Sequence, residues 1–78
     1  MRLGRFSIVT EHYKNTEFML RLQSDMAVLD VRIDINRYGR YEFLATGKMF
    51  DDIHEHQVVP EYEVIYNIDS DTITFTRV

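Results

Sequence analysis

The stretch from Leu29 to Ala45 constrains the fold most. Leu29, Val31, Ile33 and Ile35 alternate with Asp30, Arg32 and Asp34, and Tyr41, Phe43 and Ala45 resume the alternation after Asn36-Arg37-Tyr38-Gly39-Arg40. A period of two marks a strand with one buried face. Two such runs around a short polar break predict a β-hairpin. A three-residue loop of Arg37, Tyr38 and Gly39 suits the break, with Gly39 in the left-handed position that a Cβ would hinder. Asn36 suits the first turn position, where its side chain bonds the backbone. In this register Ile35 faces Tyr41, Ile33 faces Phe43 and Val31 faces Ala45, and all six point into the core. The other face sets Asp34 against Glu42, a like-charge pair, with Arg32 and Arg40 diagonal to it.

The flanking sequence adds strands on both sides. Arg2 to Tyr13 reads as a first strand, with Phe6 and Ile8 between Arg5 and Ser7, and Lys14-Asn15 as its turn. Residues 16–23 fit two patterns. Phe18, Leu20 and Leu22 alternate as in a strand, while Phe18, Met19, Leu22 and Met26 fit a helical face. The strand is favoured, because a helix here would be short, with Asn15 or Thr16 as its only cap. Lys48 to Gln57 is the best helix candidate. Met49, Phe50 and Ile53 form an apolar stripe, Asp51 and Asp52 sit where the helix dipole is positive, and Pro60 stops the helix before Val59. Glu61 to Ile68 is a strand with Tyr62, Val64, Tyr66 and Ile68 on one face. A turn at Asp69-Ser70-Asp71-Thr72 leads into a last strand, pairing Ile68 with Ile73 and Tyr66 with Phe75. The expected fold is α+β, a single domain over residues 1–78: an antiparallel sheet of five or six strands with one short helix at about residues 48–57.

Size limits what holds such a fold together. A domain of 78 residues has a net stability of only ~3–5 kcal/mol from its core. There is no Cys, so neither a disulfide nor a thiolate metal site adds to it, whereas a homodimer would. The longest apolar run, Met26 to Leu29, falls far short of the ~20 residues of a membrane span, and the N-terminal residues lack the apolar core of a signal peptide. A soluble, cytoplasmic protein is expected.

Charge is distributed unevenly. Residues 1–48 carry eight Lys and Arg against six Asp and Glu, a balance of +2, and residues 49–78 carry one Arg against seven, a balance of −6. The acidic set is Asp51, Asp52, Glu55, Glu61, Glu63, Asp69 and Asp71. Gathered on one side, these carboxylates would attract a basic partner and imitate a row of phosphates. Arg37-Tyr38-Gly39-Arg40-Tyr41 is the one basic and aromatic spot. Arg binds phosphate and Tyr stacks on bases, so Arg37, Tyr38 and Arg40 form the candidate nucleic-acid site. The scarcity of Lys and Arg weighs against that reading.

Two further chemistries have thinner support. Asp52, His54 and His56 would point to one side of an extended segment as Zn²⁺ or Mn²⁺ ligands, but a structural zinc normally takes four ligands and the HEXXH spacing is absent. No Gly-rich elbow surrounds Ser7, Ser24 or Ser70, no phosphate-binding glycine motif occurs, and of the carboxylate pairs Asp51/Asp52, Glu61/Glu63 and Asp69/Asp71 the last two lie on an exposed strand face or in a turn, where nothing desolvates them. The expected function is therefore non-enzymatic and cofactor-free. It is that of a small interaction module, an inhibitor or regulator acting through the acidic C-terminal half on a basic protein partner, nucleic-acid-binding proteins included. Small acidic Cys-free domains of this kind are common among phage inhibitors and immunity proteins, an analogy of size and charge alone. The Arg37–Tyr41 tip and the Asp52/His54/His56 metal site are the alternatives, in that order.

Overall fold

A computed structural model describes all of residues 1–78. The chain runs β1 (Leu3–Val9), α1 (Thr10–Tyr13), α2 (Thr16–Leu22), β2 (Met26–Ile33), β3 (Arg40–Gly47), β4 (Glu61–Asn67) and β5 (Thr72–Arg77). The five strands form one sheet in the order β2-β3-β1-β4-β5. All neighbours are antiparallel except β1 and β4, which run parallel. The α+β class and the five-stranded sheet match the sequence expectation. No helix is long and apolar enough to cross a membrane.

One face of the sheet carries the core. Gly4, Phe6 and Ile8 of β1 lie beside Ala45, Phe43 and Tyr41 of β3, and Tyr62 of β4 continues the row past Phe6. Phe18 and Leu22 of α2 close over this row at one end, and Phe50 closes it at the other. Phe6 stacks on Phe43 at 5.2 Å, and Phe75 meets Phe6 and Phe50 edge-on at 5.3 and 5.4 Å. Such ring geometries add to the area that each ring buries.

The helices are where the sequence reading placed strand. The first strand stops at Val9 and the chain turns into α1. Residues 16–22, read as a strand, form α2, and the cap once counted against that helix starts it: Asn15 Oδ1 accepts the Phe18 N–H at 3.0 Å. That satisfies one of the four N–H groups a helix start leaves free. Phe18 packs against Tyr66 at 5.2 Å, so burial rather than propensity makes this two-turn helix stable.

The helix expected at residues 48–57 is absent. The segment is irregular, and its apolar stripe has been spent differently. Phe50 alone is fully buried. Asp51 N–H donates to Tyr62 Oη at 2.7 Å, and Arg2 Nη1 donates to the Phe50 carbonyl at 2.8 Å. These bonds take backbone groups that a helix would pair internally.

Both hairpins are offset by two residues from the expected register. Ile33 faces Tyr41, Val31 faces Phe43, and a bulge between Val28 and Asp30 brings Val28 opposite Ala45. In the second hairpin Tyr66 faces Ile73 and Val64 faces Phe75. Asp34 Oδ1 accepts the Asn36 N–H at 3.0 Å, and Asn67 Oδ1 accepts the N–H groups of Asp69 and Ser70 at 3.1 and 3.3 Å. Each side chain thus starts the turn before the alternating pattern ends. Gly39 takes the expected left-handed conformation, at φ 77°.

Candidate functional site

The most distinctive surface is the free edge of β2. This strand lies at the end of the sheet, beyond the helices, whose cover stops at Tyr13 stacked on Tyr41 at 4.1 Å. Leu29 is 56 % exposed, Val31 38 %, Ile33 69 % and Ile35 91 %. The expectation that Val31, Ile33 and Ile35 point into the core is corrected here. Alternation put them on the core side of the sheet, and the strand order left that side uncovered.

The ladder phase fixes what this edge offers. Asp34 N–H donates to the Arg40 carbonyl at 3.0 Å. Asp34–Arg40 and Arg32–Glu42 are therefore the hydrogen-bonded pairs. The N–H and C=O groups of Val31 and Ile33 then point away from β3 into solvent. A row of unpaired backbone groups beside exposed apolar side chains is a template for another strand. From Ile33 the apolar surface continues over Tyr41 and Tyr13 to a shallow cleft shared by Tyr13, Met19 and Leu20. The opposite edge, β5, presents Thr72, Thr74 and Thr76 between its inward Ile73 and Phe75.

The basic hairpin tip does not project. Its loop folds back over the polar face of the sheet, where Arg37 Nη1 and Arg40 Nη1 each donate to Ser7 Oγ at 3.3 Å. Arg37 also pairs with Glu61 at 3.2 Å, and Arg5 with Glu42 at 3.5 Å. Tyr38 is fully exposed. The two arginines named from the sequence are thus brought together, but carboxylates already neutralise the cleft around them, of about 330 Å³, lined by Ser7, Glu61 and Glu63 among others.

The acidic set is dispersed. Asp71 makes a forked pair with Arg21 and accepts from Tyr66 Oη at 3.0 Å. The Tyr66 hydrogen bond and the Asp71 charge raise the Arg21 guanidinium above its ordinary value. Asp51 pairs with Arg77 at 2.7 Å, and Asp52 with the chain's amino group at 2.7 Å. Glu61 and Glu63 lie on β4, and Asp69 lies in the turn that follows it. Glu55 sits with His56 in the irregular loop. The sites fall on different parts of the molecule, and four of the seven acids meet a cation of the chain itself.

Asp52, His54 and His56 do not converge either. Asp52 turns to the amino terminus, whose hydrogen bond and charge hold its carboxyl below the ordinary value, and His56 sits at φ 72° beside Glu55. No group of three or more potential ligand side chains is positioned to share a metal ion.

The β2 edge was missed from the sequence because strand order depends on non-local pairing. The available signal was Asp30-Val31-Arg32, opposite charges symmetric about an apolar residue. Compared with protein-family models, with curated proteins and with solved structures, the chain matches none.

Proposed function

We propose that this protein is a non-enzymatic interaction module that engages another polypeptide through the free edge of β2. One observation carries the reading: Val31 and Ile33 combine exposed apolar side chains with outward backbone groups on an edge strand of eight residues. Addition of a strand to such an edge supplies main-chain hydrogen bonds for affinity and side-chain contacts for selectivity. The acidic-surface route to the same kind of function has less support, since the carboxylates are spread and largely paired.

The test is a comparison of two variants by capture from an extract of the source cells, followed by binding to the purified candidate. Val31→Lys/Ile33→Lys places charge on the edge without touching the core. Asp51→Lys/Asp52→Lys/Glu55→Lys reverses the acidic loop. The edge variant is expected to lose the partner and the acidic variant to retain it. Loss in the acidic variant alone overturns the reading and restores the acidic surface as the contact.

A further inference from the structure

We infer that the partner on this edge is a second copy of the chain, added antiparallel to β2 about a two-fold axis at Val31. This rests on the interaction-module reading above and names its partner. The argument is one of self-complementarity, which a two-fold contact requires because the same patch faces itself.

With the axis at Val31, Asp30 lies opposite Arg32 of the second copy, and Arg32 opposite its Asp30. The backbone groups of Val31 point outward, so the two Val31 residues exchange both hydrogen bonds. Those of Asp30 and Arg32 point to β3, so the two charge pairs occupy the positions where facing side chains approach most closely. Ile33 comes beside the bulge residue Leu29 of the second copy, so that two exposed apolar side chains gather at each end. From Asp30 to Ile33 one register satisfies both backbone phase and charge, with Arg32 also 4.0 Å from Glu42 of its own chain.

The neighbouring registers fail on specific residues. An axis at Arg32 sets that guanidinium against its own copy, a like-charge contact. An axis at Ile33 runs past the end of the strand, where the Asn36 N–H has turned to Asp34 Oδ1 at 3.0 Å. The other free edge, β5, turns its unpaired backbone groups out at Ile73 and Phe75, but those side chains are half-buried against the core rather than exposed.

The absence of native Cys makes a direct test available. In a hydrogen-bonded antiparallel pair facing Cα atoms lie ~5.5 Å apart, within disulfide reach. Val31→Cys is therefore expected to form a covalent dimer under mild oxidation, and Thr74→Cys on the opposite edge is expected to stay monomeric. In sedimentation across micromolar to millimolar concentrations the parent chain dimerises. Asp30→Arg abolishes the dimer, and Asp30→Arg/Arg32→Asp restores it. A thermal melt of each variant confirms that the exposed substitutions leave the fold intact. A parent chain that stays monomeric, or stronger cross-linking by Ile33→Cys than by Val31→Cys, overturns the inference. If the chain is monomeric yet Val31→Lys/Ile33→Lys loses a captured protein, the second copy is excluded and the edge reading stands. If that variant changes neither self-association nor capture, both fall.

Discussion

The Phe50 ring lies directly against the α-carbon of Gly4: a Cβ at Gly4 would stand 2.7 Å from Phe50 Cε1 and 2.8 Å from its Cγ. The contact ties the irregular segment after β3 to the central strand. Gly4→Ala forces the ring from a site packed on Phe6, Tyr62 and Phe75, an overpacking that costs typically ~1–3 kcal/mol. Phe50→Ala leaves a cavity and costs ~3–5 kcal/mol, comparable with the whole stability of a domain of this size. Urea melts check both. The double variant is expected to cost less than the sum, since the clash disappears with the ring.

Ile33 and Phe43 make the complementary comparison. Both look alike in the alternation, yet Ile33 is 69 % exposed and Phe43 is 1 % exposed. Ile33→Ala in the monomer is expected to change stability by less than ~0.5 kcal/mol, as surface substitutions do. Phe43→Ala is expected to cost ~3–5 kcal/mol. Melts at a concentration too low for association give the monomer values. A large loss from Ile33→Ala there would show that β2 is covered within one chain.

The difference marks how far pattern alone reaches. Period-two alternation located all five strands and the inward faces of β3 and β4, because each of those readings is local. It also put the β2 side chains on the correct side of the sheet. Coverage is a property of strand order and of where α1 and α2 lie, which no local window contains. The segment at 48–57 failed for a related reason. Its spacing suited a helix, but Phe50 gains more by sealing the end of the core, and Asp51 and Asp52 find Tyr62, Arg77 and the amino terminus. Of the candidate sites, the closeness of Arg37 and Arg40 was visible in their spacing, whereas the pairing of Arg37 with Glu61 depends on β4, two strands away from β3 in the sheet.

Asp52 supplies a pH signature. Its carboxylate accepts from the protonated amino terminus at 2.7 Å, and that hydrogen bond, then the charge itself, lowers its pKa from 3.8. A depressed folded value means that the contribution is present above the unfolded value and is lost as pH falls through the folded one. The window lies below about pH 4. A carboxyl-carbon NMR titration is expected to place the Asp52 midpoint below 3.8. Acetylation of the amino group should return it toward the ordinary value. A midpoint unmoved by acetylation would mean that the amino group is not the cause.

The hairpin registers rest on Asp34 and Asn67. A slip of one residue would turn every side chain to the wrong face, so the apolar pattern forbids it. A slip of two keeps each face and is invisible to that pattern. The choice between registers therefore falls to the turns. Asp34 captures one backbone N–H and Asn67 captures two, each ending its strand before the last alternating residue. Asp34→Ala is expected to cost ~1 kcal/mol, the net worth of one such bond, and Asn67→Ala up to ~2 kcal/mol for two. Cross-strand Hα–Hα contacts by NMR read the register directly, because Ile33–Tyr41 and Val31–Phe43 are the closely spaced pairs. In the parent these contacts are expected, with none between Ile33 and Phe43. In Asp34→Ala the longer loop loses its closing bond, and an Ile33–Phe43 contact should emerge as a minor species. If Asp34→Ala and Asn67→Ala leave both stability and register unchanged, the registers are set by the sheet's other pairings and the two side chains merely decorate the turns.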